Sequence, residues 1–286
     1  MSLNENNYFS RLSPGPSDGR TFDQRTLEAV NRTAYDVGSY RQFIIALDKA
    51  SNGGTIIVSG VVTVPETILI NKQVSIQCIG RGAFIPGASG LTMFRVKDIA
   101  NVYFLDVRVL KNKDIKASIF IEHIQTVTPS ATLKNVTVRR CFALCDVFMG
   151  FTVEGTTPKT MSRSLGANYG WTYLGNRSMI DGNIHYAETK LSGRFLEGAF
   201  YMCTVTNNES RFGSINLTNG GGTGNIVSTN VISGELDAGG SPTSIRVDTS
   251  CQTNIFTSNI VVYDVLNSAG GVPLNTVVSN NREFLP

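Results

Sequence analysis

Asn225-Ile-Val-Ser-Thr-Asn230-Val-Ile232 and Asn254-Ile-Phe-Thr-Ser-Asn259-Ile-Val-Val262 are one phrase written twice. Each opens on asparagine, passes through strand-forming residues and a small polar residue, meets a second asparagine and resumes with β-branched side chains. Looser copies occur at Asn101-Val-Tyr-Phe-Leu-Asp-Val-Arg-Val109, Ala131-Thr-Leu-Lys-Asn135-Val-Thr-Val138 and Asn275-Thr-Val-Val-Ser-Asn280. The closing asparagines are 29 residues apart (Asn230 to Asn259) and then 21 (Asn259 to Asn280). Self-similarity on that scale signals a stacked solenoid rather than a closed globule.

The phrase holds two short strand-like stretches whose alternate side chains point to opposite faces. One turn of chain cannot bury such a face alone. Stacked at the strand spacing of about 4.8 Å, each turn covers the next. Asparagine suits the bends between strands, because its side chain bonds to nearby backbone and it tolerates left-handed dihedrals. The expectation is an all-β chain, a single-stranded right-handed parallel β-helix over about residues 50–281, with an antiparallel sandwich rich in Asn turns as the alternative.

Composition narrows the function classes. The 286 residues include 28 Gly, 41% are hydrophobic and 16% charged, as in a β-rich chain long enough for a large core. The net charge of +3 is scattered, apart from groups such as Lys111-Asn-Lys113 and Arg139-Arg140, so no nucleic-acid partner is expected. No stretch approaches the roughly 20 apolar residues of a membrane span, and no membrane partner is expected. The start Met1-Ser-Leu-Asn-Glu-Asn-Asn-Tyr-Phe lacks the basic and apolar segments of a signal peptide. Cys78, Cys141, Cys145, Cys203 and Cys251 show no metal-ligand spacing and read as small buried hydrophobes in a protein made in a reducing cytoplasm. Neither metal nor cofactor is expected.

Residues 1–36 read as a leader, with a loop at Ser13-Pro-Gly-Pro-Ser-Asp-Gly19 and a helical pattern in which Leu27, Val30 and Ala34 share a face. Residues 37–286 read as the β-helix. At its start, Tyr40 to Ala50 places Phe43, Ala46, Leu47 and Ala50 on one helical stripe, Asn52-Gly-Gly54 ends the helix, and strand stretches follow from Thr55 through Val74-Ser-Ile-Gln-Cys-Ile-Gly80-Arg-Gly82. This order resembles the opening of pectate-lyase-like right-handed parallel β-helices, where an amphipathic helix caps the first coil and a Gly-x-Gly turn follows an early strand. It is similar in particular to the β-helix of phage tailspikes. That resemblance spans residues 37–138 and 199–281, and it implies a virion protein whose leader docks on other virion proteins. It further implies a host-surface polysaccharide as partner and location in the virion. A solenoid leaves open ends that must be capped, and with no obvious polar capping helix at the carboxyl end the expectation is association as a homotrimer.

Around residues 139–198 the rhythm breaks into an irregular, loop-rich insertion. Trp171, Tyr169, Tyr173 and Tyr186 lie there among Arg177 and His185, and aromatic faces beside polar groups are what a sugar requires. These six are the candidate glycan-binding residues. The polygalacturonase groups Asn-Thr-Asp, Asp-Asp, Gly-His-Gly and Arg-Ile-Lys are absent, as is the clustered aspartate of pectate lyases. Hydrolysis still needs only two carboxyl groups, and the candidates are Asp181, Glu188, Glu197, Asp146 and Glu154. Two functions therefore compete: host attachment through surface glycan by a tailspike-like protein, and depolymerisation of a polysaccharide on the same scaffold by a glycoside hydrolase or a polysaccharide lyase. Gly220-Gly-Gly-Thr-Gly224 reads as a coil bend, and His123, beside Glu122, as an ordinary strand residue.

Overall fold

The computed structural model describes residues 34–126, 135–154, 178–187, 193–198, 200, 202–217, 224–233, 235–236, 242–247, 253–262 and 276–283. They form a right-handed, single-stranded parallel β-helix with three faces. Face A stacks ten strands from Ala34–Val37 to Val277–Ser279. Face B runs from Val61–Val64 to Arg282–Glu283, and face C from Ile68–Ile70 to Ile245–Val247. The long strand Phe142–Glu154 belongs to both B and C. Among the described residues the coils pair in parallel; the antiparallel exceptions are Glu235–Leu236 with Pro242–Thr243 and an isolated bridge between Asn112 and Ile115. The sandwich alternative is thereby excluded.

Period-two patterning becomes burial. Ile56, Ile76, Phe104, Val138, Ile180, Val205, Val227 and Phe256 occupy one register position on face A, and all are sealed inside. In the first half of the helix the interior is filled by edge-to-face aromatics: Phe84–Phe94 centroids are 4.9 Å apart, Phe94–Phe104 5.1 Å and Phe120–Phe148 5.1 Å. The expected helix forms over Tyr40–Lys49, with the Ser39 side chain accepting from the Gln42 amide at its start. Its buried stripe of Phe43, Ala46 and Leu47 closes the first coil, and Phe43 meets the Phe84 ring edge-on at 5.3 Å. Without such a lid the first layer of the core would face water.

The asparagines sort into two roles that their spacing alone does not separate. Asn183, Asn208, Asn230, Asn259 and Asn281 form an internal ladder at the bend from face A to face B, each Nδ2 donating to the Oδ1 of the next at 2.9 Å. Each also donates to a carbonyl of the coil before, as Asn230 Nδ2 does to Val205 O at 2.9 Å. A left-handed conformation falls instead on the residue just before the ladder position: Gly182, Asn207, Thr229, Ser258 and Asn280 have φ between 54° and 64°. The last ladder member is thus Asn281, 22 residues beyond Asn259, and Asn280 is the turn residue. A second row, Asn225 onto Asn254 at 3.0 Å, lines the bend leading into face A. The five-residue step from Asn225 to Asn230 is therefore one strand framed by two ladders.

The first turn starts earlier than the expected boundary at residue 37, since Ala34–Val37 already pairs in parallel with Gly54–Val58. Residues 1–33 lie outside the described residues. Within 139–198, Phe142–Glu154, Met179–Asp181, Ile184–Tyr186 and Arg194–Gly198 run in the coils, and residues 155–177 lie outside the described residues.

Candidate functional site

The outer surface of face C brings together groups far apart in sequence. Along Ala117–Thr126, Ile121 and His123 point inward, so Glu122 points out. Along Phe142–Glu154, Met149 and Phe151 are buried and Gly150 takes the outward position; along Arg194–Gly198 that position is Glu197. The register sets Glu122 beside Gly150 and Gly150 beside Glu197. Two carboxylates thus flank a residue with no side chain, their backbones separated by two strand spacings, roughly 9–10 Å. The row continues through Arg95 on one side, and through Asn216 and Arg246 on the other.

Each acid has an arginine beside it. Arg95 Nε donates to Glu122 Oε2 at 2.7 Å and orients a carboxylate whose side chain is 20% exposed. Arg194 Nε lies 3.9 Å from Glu197 Oε1, a looser contact that leaves Glu197 on the surface at 47% exposure. Such partly exposed pairs contribute about 0–1 kcal/mol each to stability, so the row's charges are not needed for the fold.

The other candidate acids are placed differently. Asp181 sits on the outer side of face A, where its carboxylate accepts from Asn207 Nδ2 at 3.0 Å, Thr206 Oγ1 at 3.0 Å and Arg139 Nη2 at 3.2 Å. The Asn207 bond, with those from Thr206 and Arg139, holds its pKa below the usual carboxylate value, so it is a fixed anion and not a proton donor near neutrality. Asp106, clamped by Arg140 through bonds of 2.8 and 2.9 Å, is lowered for the same reason. Asp146 accepts from Lys116 Nζ at 2.6 Å at the bend from face B to face C. Glu154 ends its strand opposite Thr126, with its side chain outside the described residues, and Glu188 lies outside them altogether.

Among the glycan-binding candidates, Trp171, Tyr169, Tyr173 and Arg177 fall outside the described residues. Tyr186 faces outward on face B, with the Arg211 guanidinium 5.2 Å from its ring centre and Arg211 Nη1 donating to its hydroxyl at 3.0 Å. His185 is a correction: it points into the core and is fully buried, so no surface sugar reaches it. Its Nε2 donates to Cys145 O at 3.0 Å and its Nδ1 lies 2.9 Å from Ser210 Oγ. The physical reason is parity: in Ile184–Tyr186 the outward positions are Ile184 and Tyr186, and the residue between them must turn in. Ser210 beside His185 is sealed as well, so this pair offers no nucleophile to substrate.

Burial pushes the Cys78, Cys141 and Cys145 thiols up, which makes them inert packing groups as expected. Among the described residues no cluster of three His, Cys, Asp or Glu could hold a metal ion. Sequence reasoning finds Glu197 but passes over Glu122, Gly150 and Asn216. The available signal is parity alone: each is a polar or small residue flanked in its strand by two inward-facing ones, apolar at Gly150 and Asn216 and Ile121 with His123 at Glu122.

No protein-family model matches this chain, and no curated protein matches it. Among solved structures it is similar to the PL6 family alginate lyase AlyGC, with 16% identity and a TM-score of 0.43, over 88% of this chain and 39% of that one. It is similar to an alginate lyase from Paenibacillus sp. str. FPU-7 at 11% identity and a TM-score of 0.45, over 88% of this chain and 95% of that one. A third likeness is to ORF18 of Geobacillus virus E2, at 10% identity and a TM-score of 0.38, over 91% of this chain and 62% of that one.

Proposed function

We propose that this protein is a polysaccharide depolymerase that hydrolyses glycosidic bonds over the outer surface of face C. The observation that carries the reading is the pair Glu122 and Glu197, at one outward register position on either side of Gly150. Inverting glycosidases hold two carboxyl groups about 6.5–9.5 Å apart, leaving room for water between one of them and the sugar. Glu122, oriented by Arg95, takes a proton from that water as its oxygen bonds to the anomeric carbon. Glu197, whose arginine contact is the looser of the two at 3.9 Å, serves as the acid, its carboxyl proton passing to the departing glycosidic oxygen as the C–O bond breaks. The fixed coils hold both acids in place without help from loops.

The test is size analysis of capsule, O-antigen, alginate and hyaluronan polysaccharides after incubation with purified protein. Glu122→Gln and Glu197→Gln are each expected to cut the rate of shortening of the polymer that is degraded by at least about 100-fold, the scale of general acid or base catalysis. Their melting points should stay near that of the wild type. Variants as active as the parent would remove the pair from the chemistry.

A second reading keeps the glycan and drops the cleavage: attachment of a virion to host-surface polysaccharide, by a homotrimer docked through residues 1–36. The Tyr186 ring, outward and paired with Arg211, favours it as a surface for a sugar face. Under this reading Tyr186→Ala is expected to weaken polysaccharide binding by about 1–3 kcal/mol with no change in polymer length, and light scattering to give three times the 31.0 kDa chain mass. A 31.0 kDa species would rule out the trimer.

A further inference from the structure

Gly150 lies inside a strand, where glycine weakens pairing and offers nothing to pack. Other glycines of the coils have a reason in the backbone. Gly198 has φ +125°, and a Cβ there would stand 2.1 Å from Phe151 O; at Gly82 it would meet Val58 O at 1.8 Å. Gly150 has no positive φ, and the nearest atom to an added Cβ is Glu197 O at 3.9 Å, an ordinary contact. The fold therefore accepts a side chain at this position. Its absence leaves a gap on the outer surface, walled by Glu122 and Glu197.

The next outward position beyond Glu197 holds an independent sign of a ligand. Asn216 is flanked by the inward Ile215 and Leu217, so its amide lies on the outer side; the residue is only 8% exposed and its Oδ1 has no hydrogen-bond partner. A buried acceptor without a donor is costly, and native proteins keep few of them. Arg246, exposed in the following coil, supplies donors one step further along the same line.

We infer that Gly150 is the seat of one sugar ring of the bound polysaccharide and that Asn216 Oδ1 accepts a hydroxyl of the residue bound on the Arg246 side, so that the polymer lies along the helix axis. This rests on the depolymerase reading and adds to it where the chain runs and which groups select it. A bare glycine lets the ring come down between the two acids. The unfilled acceptor requires a hydroxyl donor at the neighbouring position, and a sugar lacking that hydroxyl leaves Asn216 unpaired.

The experiment uses the polymer that the wild-type protein shortens fastest among the four polysaccharides named above. Gly150→Val is expected to melt at or above the wild-type temperature, because a β-branched residue suits a strand, and to lose at least about tenfold in kcat/KM. Gly150→Ala should fall between the two. Asn216→Leu should also melt no lower than wild type, with KM raised by about tenfold, the worth of one hydrogen bond, and kcat little changed. If Gly150→Val cuts as fast as wild type while Glu122→Gln is inactive, the seat is elsewhere and this inference fails with the depolymerase reading intact. Early melting of Gly150→Val or Asn216→Leu would make the residue a structural one and overturn its role here. If wild type shortens no polymer, or the Glu→Gln variants match it, the depolymerase reading fails and this inference falls with it.

Discussion

Asn230→Leu will destabilise the protein by about 4–6 kcal/mol, because it strands several buried groups at once. Asn230 Oδ1 accepts from both the backbone amide and Nδ2 of Asn208, and its own Nδ2 donates to Val205 O and Asn259 Oδ1. Leucine is close in volume, so packing is kept while up to four partners lose a bond in a site closed to water. Denaturant unfolding monitored by circular dichroism measures the loss. The same change at Asn281, the half-buried end of the ladder, leaves fewer groups unpaired and should cost about 1–2 kcal/mol. Equal costs at the two sites would show that the ladder does not act as a chain of bonds.

Acid is the second large lever. Burial lowers His123 to about 3 and His185 to about 4, against an ordinary value of 6.5. In the unfolded chain both rings take up protons as the pH falls through 6.5, whereas in the folded protein they stay neutral. The unfolded state therefore binds more protons, and stability, in full above pH 6.5, declines steadily down to about pH 3–4. Together the two residues account for a loss of several kcal/mol across that window, since each tenfold drop in a ring's proton affinity on folding is worth about 1.4 kcal/mol. The two can be told apart. Both His123 nitrogens lack hydrogen-bond partners, and its ring lies 5.0 Å from that of Phe151. His123→Phe should therefore raise stability at pH 7 and flatten the acid decline. His185 is bonded through both nitrogens, and its replacement by Phe should lower stability at pH 7. Melting curves from pH 7.5 to 4 check both, and a His123→Phe variant as acid-sensitive as its parent would refute the assignment.

The coils, the capping helix and the buried cysteines are legible in the sequence because each depends on residues close together in the chain. Alternation over three to five residues marks an inward face wherever a strand lies. The 3.6-residue stripe of Phe43, Ala46 and Leu47 marks the helix that covers the first coil. Asparagine recurs because the bends from face A to face B between Asn183 and Asn281 need the same donors and acceptors. What lies beyond the sequence is which residue of one coil stands on which residue of the next. The connections differ in length, so ladder neighbours are 25, 22, 29 and 22 residues apart, and no single period lines them up. A slip of one residue turns a side chain from solvent to core, which is why the sequence pattern puts His185 at the surface and Asn280 in the row of repeating asparagines. Glu122, Gly150 and Glu197 share no motif; only the stacking of three coils sets them side by side, since strand pairing fixes distance across the sheet and not along the chain.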